Sequence, residues 1–395
     1  MAGYTPARIL GGLRRRRKDL ARKFMYRPGA RKLQNAVLFE AFEGKVIGDS
    51  PLDIFLELQR KRGDLTCYWS YRRSTLKNGS KIPLGSIGVR HGSRKWLKLL
   101  ATSKYLVNNT AFPWYFKKSA GQIYLQTWHG TPLKRLVRDI APGQLSGQYL
   151  ATMQREAQAW DYLVSPSDYA SKVFESAFGY RGQMIESGYP RNDKVVKASA
   201  ETRSRVRKQL GVSAATILVL YAPTWRDYSI NSLGDFKPTN YLDQNTQLPR
   251  GFQMMYRGHT MTLAAHTKTS AGSAIDVTNY PDITELFLAA DVLITDYSSV
   301  MFDFANTKKP IIFLTPDIEK YESQRGFYFD LRNDAPGPIC SNTAEVIDAL
   351  EDLDGLQKIY QSNYEAWQEK FAGLDDGGAA IRVVTKVFGP GSGLG

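Results

Sequence analysis

Cysteine is almost absent: Cys67 and Cys340 are the only two in 395 residues, and neither sits in a CxxC or Cys/His spacing. That excludes a disulfide framework, gives no sign of a thiolate metal site and fits a reducing compartment. No apolar run approaches the roughly 18 residues that a spanning helix needs. Residues 1–23 lack the unbroken apolar stretch and small-residue cleavage site of a secretory leader, so the expectation is a chain neither exported nor threaded through a bilayer. No acidic cluster of metal-ligand type stands out. Histidine is scarce, with only His91, His129, His259 and His266. Acid is scarcest at the N-terminus, where residues 1–35 hold eleven Lys and Arg against the single acid Asp19, so ten of the fifteen net positive charges lie in this arm.

What is present is a globular composition, 43% hydrophobic and 12% aromatic, in a chain too long for one average domain. The charge requires an anionic partner: nucleic acid, anionic lipid or a phosphate-rich substrate. Within the arm, Ile9, Leu10, Leu13, Leu20 and Phe24 recur at helix-compatible spacing with cations between them, as in an in-plane interfacial helix. Gly11 and Gly12 weaken that helix, and a solvated basic tail is the other reading. Either form favours an anionic membrane surface by about 1 kcal/mol per cation. The arm has no interleaved stacking aromatics and no recognition motif, so nucleic acid is not the expected partner.

From Ala36 strand-like and helix-like pieces alternate. Strands are expected at 37–42, 104–108, 122–126, 161–164, 217–221, 252–256, 274–277, 292–294 and 310–314. Helices are expected at 52–62, 168–177, 201–210, 283–289, 300–305, 343–352 and 356–372. Such alternation predicts parallel sheets covered by helices. The pattern falters at 187–193 and restarts at 217, which puts the boundary near 195–212. The expected units are an arm (1–35), a first lobe (36–200), a second lobe (201–388) and a Gly-rich tail (389–395). Two α/β lobes facing each other form a cleft at the carboxyl ends of their strands, where ligands bind.

The loops after strands are therefore the candidates. In Thr127-Trp128-His129-Gly130-Thr131-Pro132, Gly130 permits close approach of backbone to a ligand, and Thr131-Pro132 reads as a cap and first turn of a helix with free N–H groups for an anion. His129 at that turn can accept a proton near neutral pH; the alternative is a core histidine bonded to a carbonyl. Arg257-Gly258-His259 pairs a fixed cation with a second titratable group, which suits a diphosphate. Ser298 and Ser299 follow a strand and can cap the next helix as a phosphate seat, with Asp303 one turn on along the same face; ordinary capping and a helix-surface aspartate are the alternatives. Pro223, Thr224 and Arg226 follow the first strand of the second lobe, and Arg191 closes the first lobe, where it could clamp a phosphate. His91 and His266 read as structural or surface residues.

TWHGTPLK, YAPTWRD, RGH after a strand and DITELFLAADVLITDYSSVMFDF together resemble the CDP-glycerol glycerophosphotransferases of bacterial teichoic acid synthesis, from about Ala36 to about Arg332. The resemblance implies two Rossmann-like lobes of the GT-B type and a peripheral protein on the cytoplasmic face of the membrane. It implies transfer of glycerol phosphate from CDP-glycerol to a lipid-linked acceptor, a prenyl diphosphate saccharide, with release of CMP and no cofactor. It carries the family's donor contacts onto Trp128, His129, Gly130, Thr131, Pro132, Arg191, Pro223, Thr224, Arg257, Gly258, His259, Ser298, Ser299 and Asp303. After RGH this chain continues Thr260-Met261-Thr262 where an aromatic residue is expected, which leaves the polyol, glycerol or ribitol, open. The expected chemistry is in-line displacement at the β-phosphorus, with His129 as base and His259 among the groups holding the pyrophosphate. A glycosyltransferase of the same shape and a basic nucleic-acid-binding protein are the alternatives.

Overall fold

Strands whose alternate residues are all apolar have to be covered on both faces, and two parallel sheets meet that demand. In the computed structural model, which describes residues 17–224, 242, 246–258 and 274–389, the first sheet holds β1 (Gln34–Glu40), β2 (Thr66–Tyr71), β3 (Ile87–Arg90), β4 (Ser103–Asn108), β5 (Ile123–Gln126), β6 (Tyr162–Ser165) and β7 (Gln183–Glu186). Their order is β3-β2-β1-β4-β5-β6-β7. The second sheet holds β8 (Ile217–Ala222), β9 (Phe252–Tyr256), β10 (Ile275–Asp276), β11 (Val292–Thr295), β12 (Ile311–Leu314) and β13 (Ile339–Cys340), in the order β10-β9-β8-β11-β12-β13. Every pairing is parallel. These are two Rossmann-like lobes of the GT-B type.

Period-two alternation splits each sheet between two cores. In β1, Leu38 packs with Trp96 and Leu106 on one face, while Val37 and Phe39 pack with Phe55 and Trp69 on the other. In β8, Leu218, Leu220 and Ala222 face one core and Val219 and Tyr221 the other. Strand order reverses between β1 and β4 and again between β8 and β11, so the loops leaving those pairs diverge and open a crevice on each lobe. The covering helices follow local rules: in Asp168–Phe178 the Ser167 hydroxyl accepts from the Ala170 N–H, and Gly179 closes the helix at a φ of 59°.

Three boundaries differ from the sequence reading. Residues 17–25 form a helix resting on the first lobe, and Tyr26 is buried there with its hydroxyl donating to the Lys117 carbonyl (2.7 Å), so the arm's second half belongs to the body. Val195 already packs in the second lobe's core, so the crossing lies just before it. The helix Ala379–Phe388, assigned to the second lobe, returns to the first: Val383, Val384, Val387 and Phe388 pack on Ile54, Phe55 and Leu58 of the helix Asp49–Lys61. The hinge residue Asp193 caps that returning helix, accepting from the Ala379 and Ala380 N–H groups at 2.9 and 2.8 Å. The helix expected over 356–372 is two, Leu353–Ile359 and Gln361–Ala372, separated at Tyr360, whose ψ of 7° leaves the helical range.

Candidate functional site

On the first lobe the loops after β1, β4 and β5 converge. His129 follows β5 and is partly exposed. Its Nδ1 lies 2.6 Å from the Asn109 carbonyl, in the loop after β4. That acceptor fixes Nδ1 as the protonated nitrogen and leaves Nε2 able to accept. Burial draws the histidine below its ordinary pKa, the Asn109 carbonyl and Asp49 oppose this, and Arg191 adds to it. A neutral imidazole at neutral pH results. Trp128 is buried against Phe178 with a left-handed φ of 51°, its N–H held by the Gln126 side chain (2.9 Å). It forms the wall that His129 leans on (centroids 4.3 Å apart, planes tilted by 30°), with the Phe42 ring 5.5 Å from the imidazole.

The segment after His129 departs from expectation. No helix begins at Thr131-Pro132; the chain runs on without regular structure to Lys134, where it bonds across to the second lobe. Tyr169 donates to the Pro132 carbonyl (2.7 Å), the Leu133 carbonyl accepts from the Tyr328 N–H (2.9 Å), and Lys134 bridges to Phe327. Thr131 and Pro132 are buried in this junction. Leu133, directly after the proline, packs in the second lobe's core, while Leu136 and Val137 return to the first.

On the second lobe, Pro223 and Thr224 leave β8 and the segment Asp296–Ser299 leaves β11, on either side of the switch point. Buried Asp296 accepts from the Thr224 N–H at 2.8 and 3.0 Å and from the Tyr297 N–H at 2.6 Å. Ser298 and Ser299 are partly exposed, and Ser299 makes no side-chain cap to the five-residue helix Val300–Phe304. The expected capping role is thus not used by Ser299. A methyl group at Gly130 would stand 2.7 Å from the Ser299 hydroxyl oxygen, so the two lobes touch at this pair. Arg257 follows β9 and donates through Nη1 to the Val277 and Tyr280 carbonyls (3.1 and 3.0 Å). Burial lowers its pKa to about 10, which still leaves it charged at neutral pH. Gly258 donates to the Thr278 hydroxyl (2.9 Å).

Arg191 and Asp303, both expected to contact the donor, are brought together as a buried ion pair: Arg191 Nη2 reaches the two Asp303 oxygens at 3.1 and 2.9 Å, and Nη1 reaches Asp49 at 3.0 Å. Asn192 also donates to Asp303 (3.0 Å). Asp303 is therefore a joint between lobes rather than a surface residue. Arg226 and His259 lie outside the described residues, as does His266. His91 pairs with buried Glu40 (3.0 Å) and packs on Trp96, which is a structural place. Sequence reading missed Asp49, Asn109 and Asp296; for Asn109 and Asp296 the signal available was their position directly after β4 and β11, which flank the switch points, whereas Asp49 stands well beyond β1 with no such signal. Among the described residues no group of three or more His, Cys, Asp or Glu could hold a metal ion.

Residues 23–389 match the family described as CDP-Glycerol:Poly(glycerophosphate) glycerophosphotransferase. A teichoic acid poly(glycerol phosphate) polymerase of Bacillus spizizenii is 37% identical over 370 residues, 90% of this chain and 92% of that one. A polymerase of the same description from Bacillus subtilis strain 168 is 36% identical over 90% of this chain; the chain spans about half of it (49%). A structure of the wall teichoic acid polymerase TagF, a variant soaked with CDPG, superposes with a TM-score of 0.83 at 31% identity, covering 96% of this chain and 97% of that one.

Proposed function

Because the chain belongs to the CDP-glycerol:poly(glycerophosphate) glycerophosphotransferase family, we propose that it transfers glycerol phosphate from CDP-glycerol to a lipid-linked acceptor in teichoic acid synthesis. The acceptor hydroxyl oxygen attacks the β-phosphorus in line, the bond from that phosphorus to the bridging oxygen breaks, and CMP leaves. The hydroxyl proton goes to Nε2 of His129. The observation that carries this reading is the meeting of Gly130 with Ser299, which sets the loop bearing a neutral, tautomer-fixed histidine against the turn that follows β11. In this reading Ser298, Ser299 and Thr224 bind the donor, with Arg257 supplying a fixed cation and His259 joining them on the pyrophosphate. Trp128, Gly130, Thr131 and Pro132 shape the first-lobe wall.

The protein acts at the cytoplasmic face of the membrane, held by its basic N-terminal segment. Supporting this, the helix at 17–25 rests on the first lobe yet leaves Leu20, Phe24 and Met25 exposed (47%, 77% and 44%) among cations. No helix of the described residues is long and apolar enough to cross a membrane.

The test is incubation with CDP-glycerol and a synthetic lipid-linked acceptor, read by product mass, with CDP-ribitol and UDP-sugars as competing donors. Growth by glycerol phosphate units is expected; growth by a sugar, or none, sinks the proposal. His129→Ala should bind CDP-glycerol nearly as the parent does, while its turnover falls by roughly 10² to 10⁴. Because the histidine is drawn below its ordinary value, the acid limb of the parent's rate profile should fall below pH 6.5 and be missing from the variant.

A further inference from the structure

Asp49 belongs to none of the motifs, yet it stands where the two halves of the site are joined. It opens the helix Asp49–Lys61 directly after Gly48, with a left-handed φ of 59°. A non-glycine residue persists in that region only when its surroundings hold it there. Here they do: Oδ1 accepts from the Ser50 N–H (2.5 Å) and from Arg191 Nη1 (3.0 Å), and Oδ2 accepts from Asn109 Nδ2 (3.1 Å). Asn109 is fully engaged in turn. Its Oδ1 accepts from the Phe42 N–H (2.9 Å), and its carbonyl accepts from His129 Nδ1. Arg191 continues the line through Nη2 to Asp303 on the second lobe. An unbroken series of bonds thus runs from the imidazole through Asn109, Asp49 and Arg191 to Asp303.

We propose that Asp49 is a positioning residue for His129: by anchoring the Asn109 side chain it fixes the carbonyl that orients the imidazole, and through Arg191 it makes that orientation depend on the docking of the second lobe. The proposal rests on the reading of His129 as the base. With both ends of the Asn109 amide bonded, its loop cannot turn the carbonyl away, so Nδ1 stays protonated and Nε2 stays an acceptor. Among the described residues the charged groups facing the ring are Asp49 and Arg191, which act in opposite senses, the first favouring and the second opposing the imidazolium; Phe42 and Trp128 flank it with apolar rings.

That opposition gives a signature that a merely structural role lacks. Full-length protein labelled with ¹³C at histidine Cε1 is titrated by NMR, with the His129 signal assigned by its loss in His129→Ala. Asp49→Asn should lower the His129 midpoint, whereas Arg191→Gln should raise it. In Asp49→Asn kcat should fall by about 10-fold or more while KM for CDP-glycerol changes less than about 2-fold. Asn109→Ala, which keeps the Asp49 charge but cuts its link to the loop, should lose a comparable factor in kcat; this variant decides the matter if Asp49→Asn does not fold. An unmoved midpoint and unmoved kcat in folded Asp49→Asn, or full kcat in Asn109→Ala, overturns the proposal. Midpoints that move as expected without any shift of the rate profile would uphold the contact and remove the base assignment instead.

Discussion

At Gly130 there is no room for a methyl group, because a Cβ would sit 2.7 Å from the Ser299 hydroxyl oxygen and 2.9 Å from its Cβ. Either the lobes separate or the loop carrying His129 moves, and a displacement near 1 Å in a reacting geometry can cost about 10²-fold. Gly130→Ala should therefore lower the transfer rate by up to that factor, with little change in melting; initial rates and a thermal scan check it together. Elsewhere in the first lobe, Glu156 is buried with its carboxylate accepting from the Tyr124 hydroxyl (3.0 Å), and burial raises its pKa to about 8. The folded state then keeps a proton that the unfolded chain releases above about 4.5. Its contribution to stability is full below that value and is lost as pH rises toward 8. Glu156→Gln should match the parent near pH 5 and melt higher, by about 2 °C or more, near pH 8.5; a constant difference across that range would refute the assignment.

In the turn after β11, ligand binding and stability can likewise be told apart. Since Ser299 does not cap the short helix Val300–Phe304, its hydroxyl is dispensable for folding. Ser298→Ala with Ser299→Ala should weaken CDP-glycerol binding by about 10-fold or more, with a stability loss below the ~1 kcal/mol typical of a lost cap; calorimetric binding beside a melting curve decides this. The central strands, such as β1, β4, β8 and β11, were legible because their apolar runs are covered on both faces. The edge strands β3 and β7 were not, since Ile87–Arg90 and Gln183–Glu186 each bury a single residue fully and read as loops. The motif residues His129, Ser298 and Ser299 announced themselves by following strands, whereas Asp49 follows none directly and Asn109, though next after β4, lies in no motif. Their significance lies in bonds between segments 60 and 142 residues apart along the chain, which no local spacing encodes.

Across the whole molecule, one flank of the first lobe carries the helix at 17–25, secured by Arg22 bonding to the Gly92 carbonyl (3.1 Å) and Lys23 lying over Trp114 (5.1 Å). Its exposed Leu20 and Phe24 are free of the core, so replacing both with serine should leave melting unchanged within about 0.5 kcal/mol. The same variant should bind anionic vesicles several-fold more weakly in co-sedimentation, and undiminished binding would move the membrane contact elsewhere. The opposite side of the first lobe is closed by the returning helix Ala379–Phe388, which covers the face formed by Ile54, Phe55 and Leu58. The first sheet is complete at Glu186, but its last covering helix ends at Phe388. At roughly 5–20 residues added per second, the nascent first lobe waits about 10–40 s on the ribosome with an apolar face open to the cytosol. An apolar face left open for that long is the kind of surface that aggregates or calls for a chaperone, and a pause or truncation late in translation would harm the domain that was synthesised first.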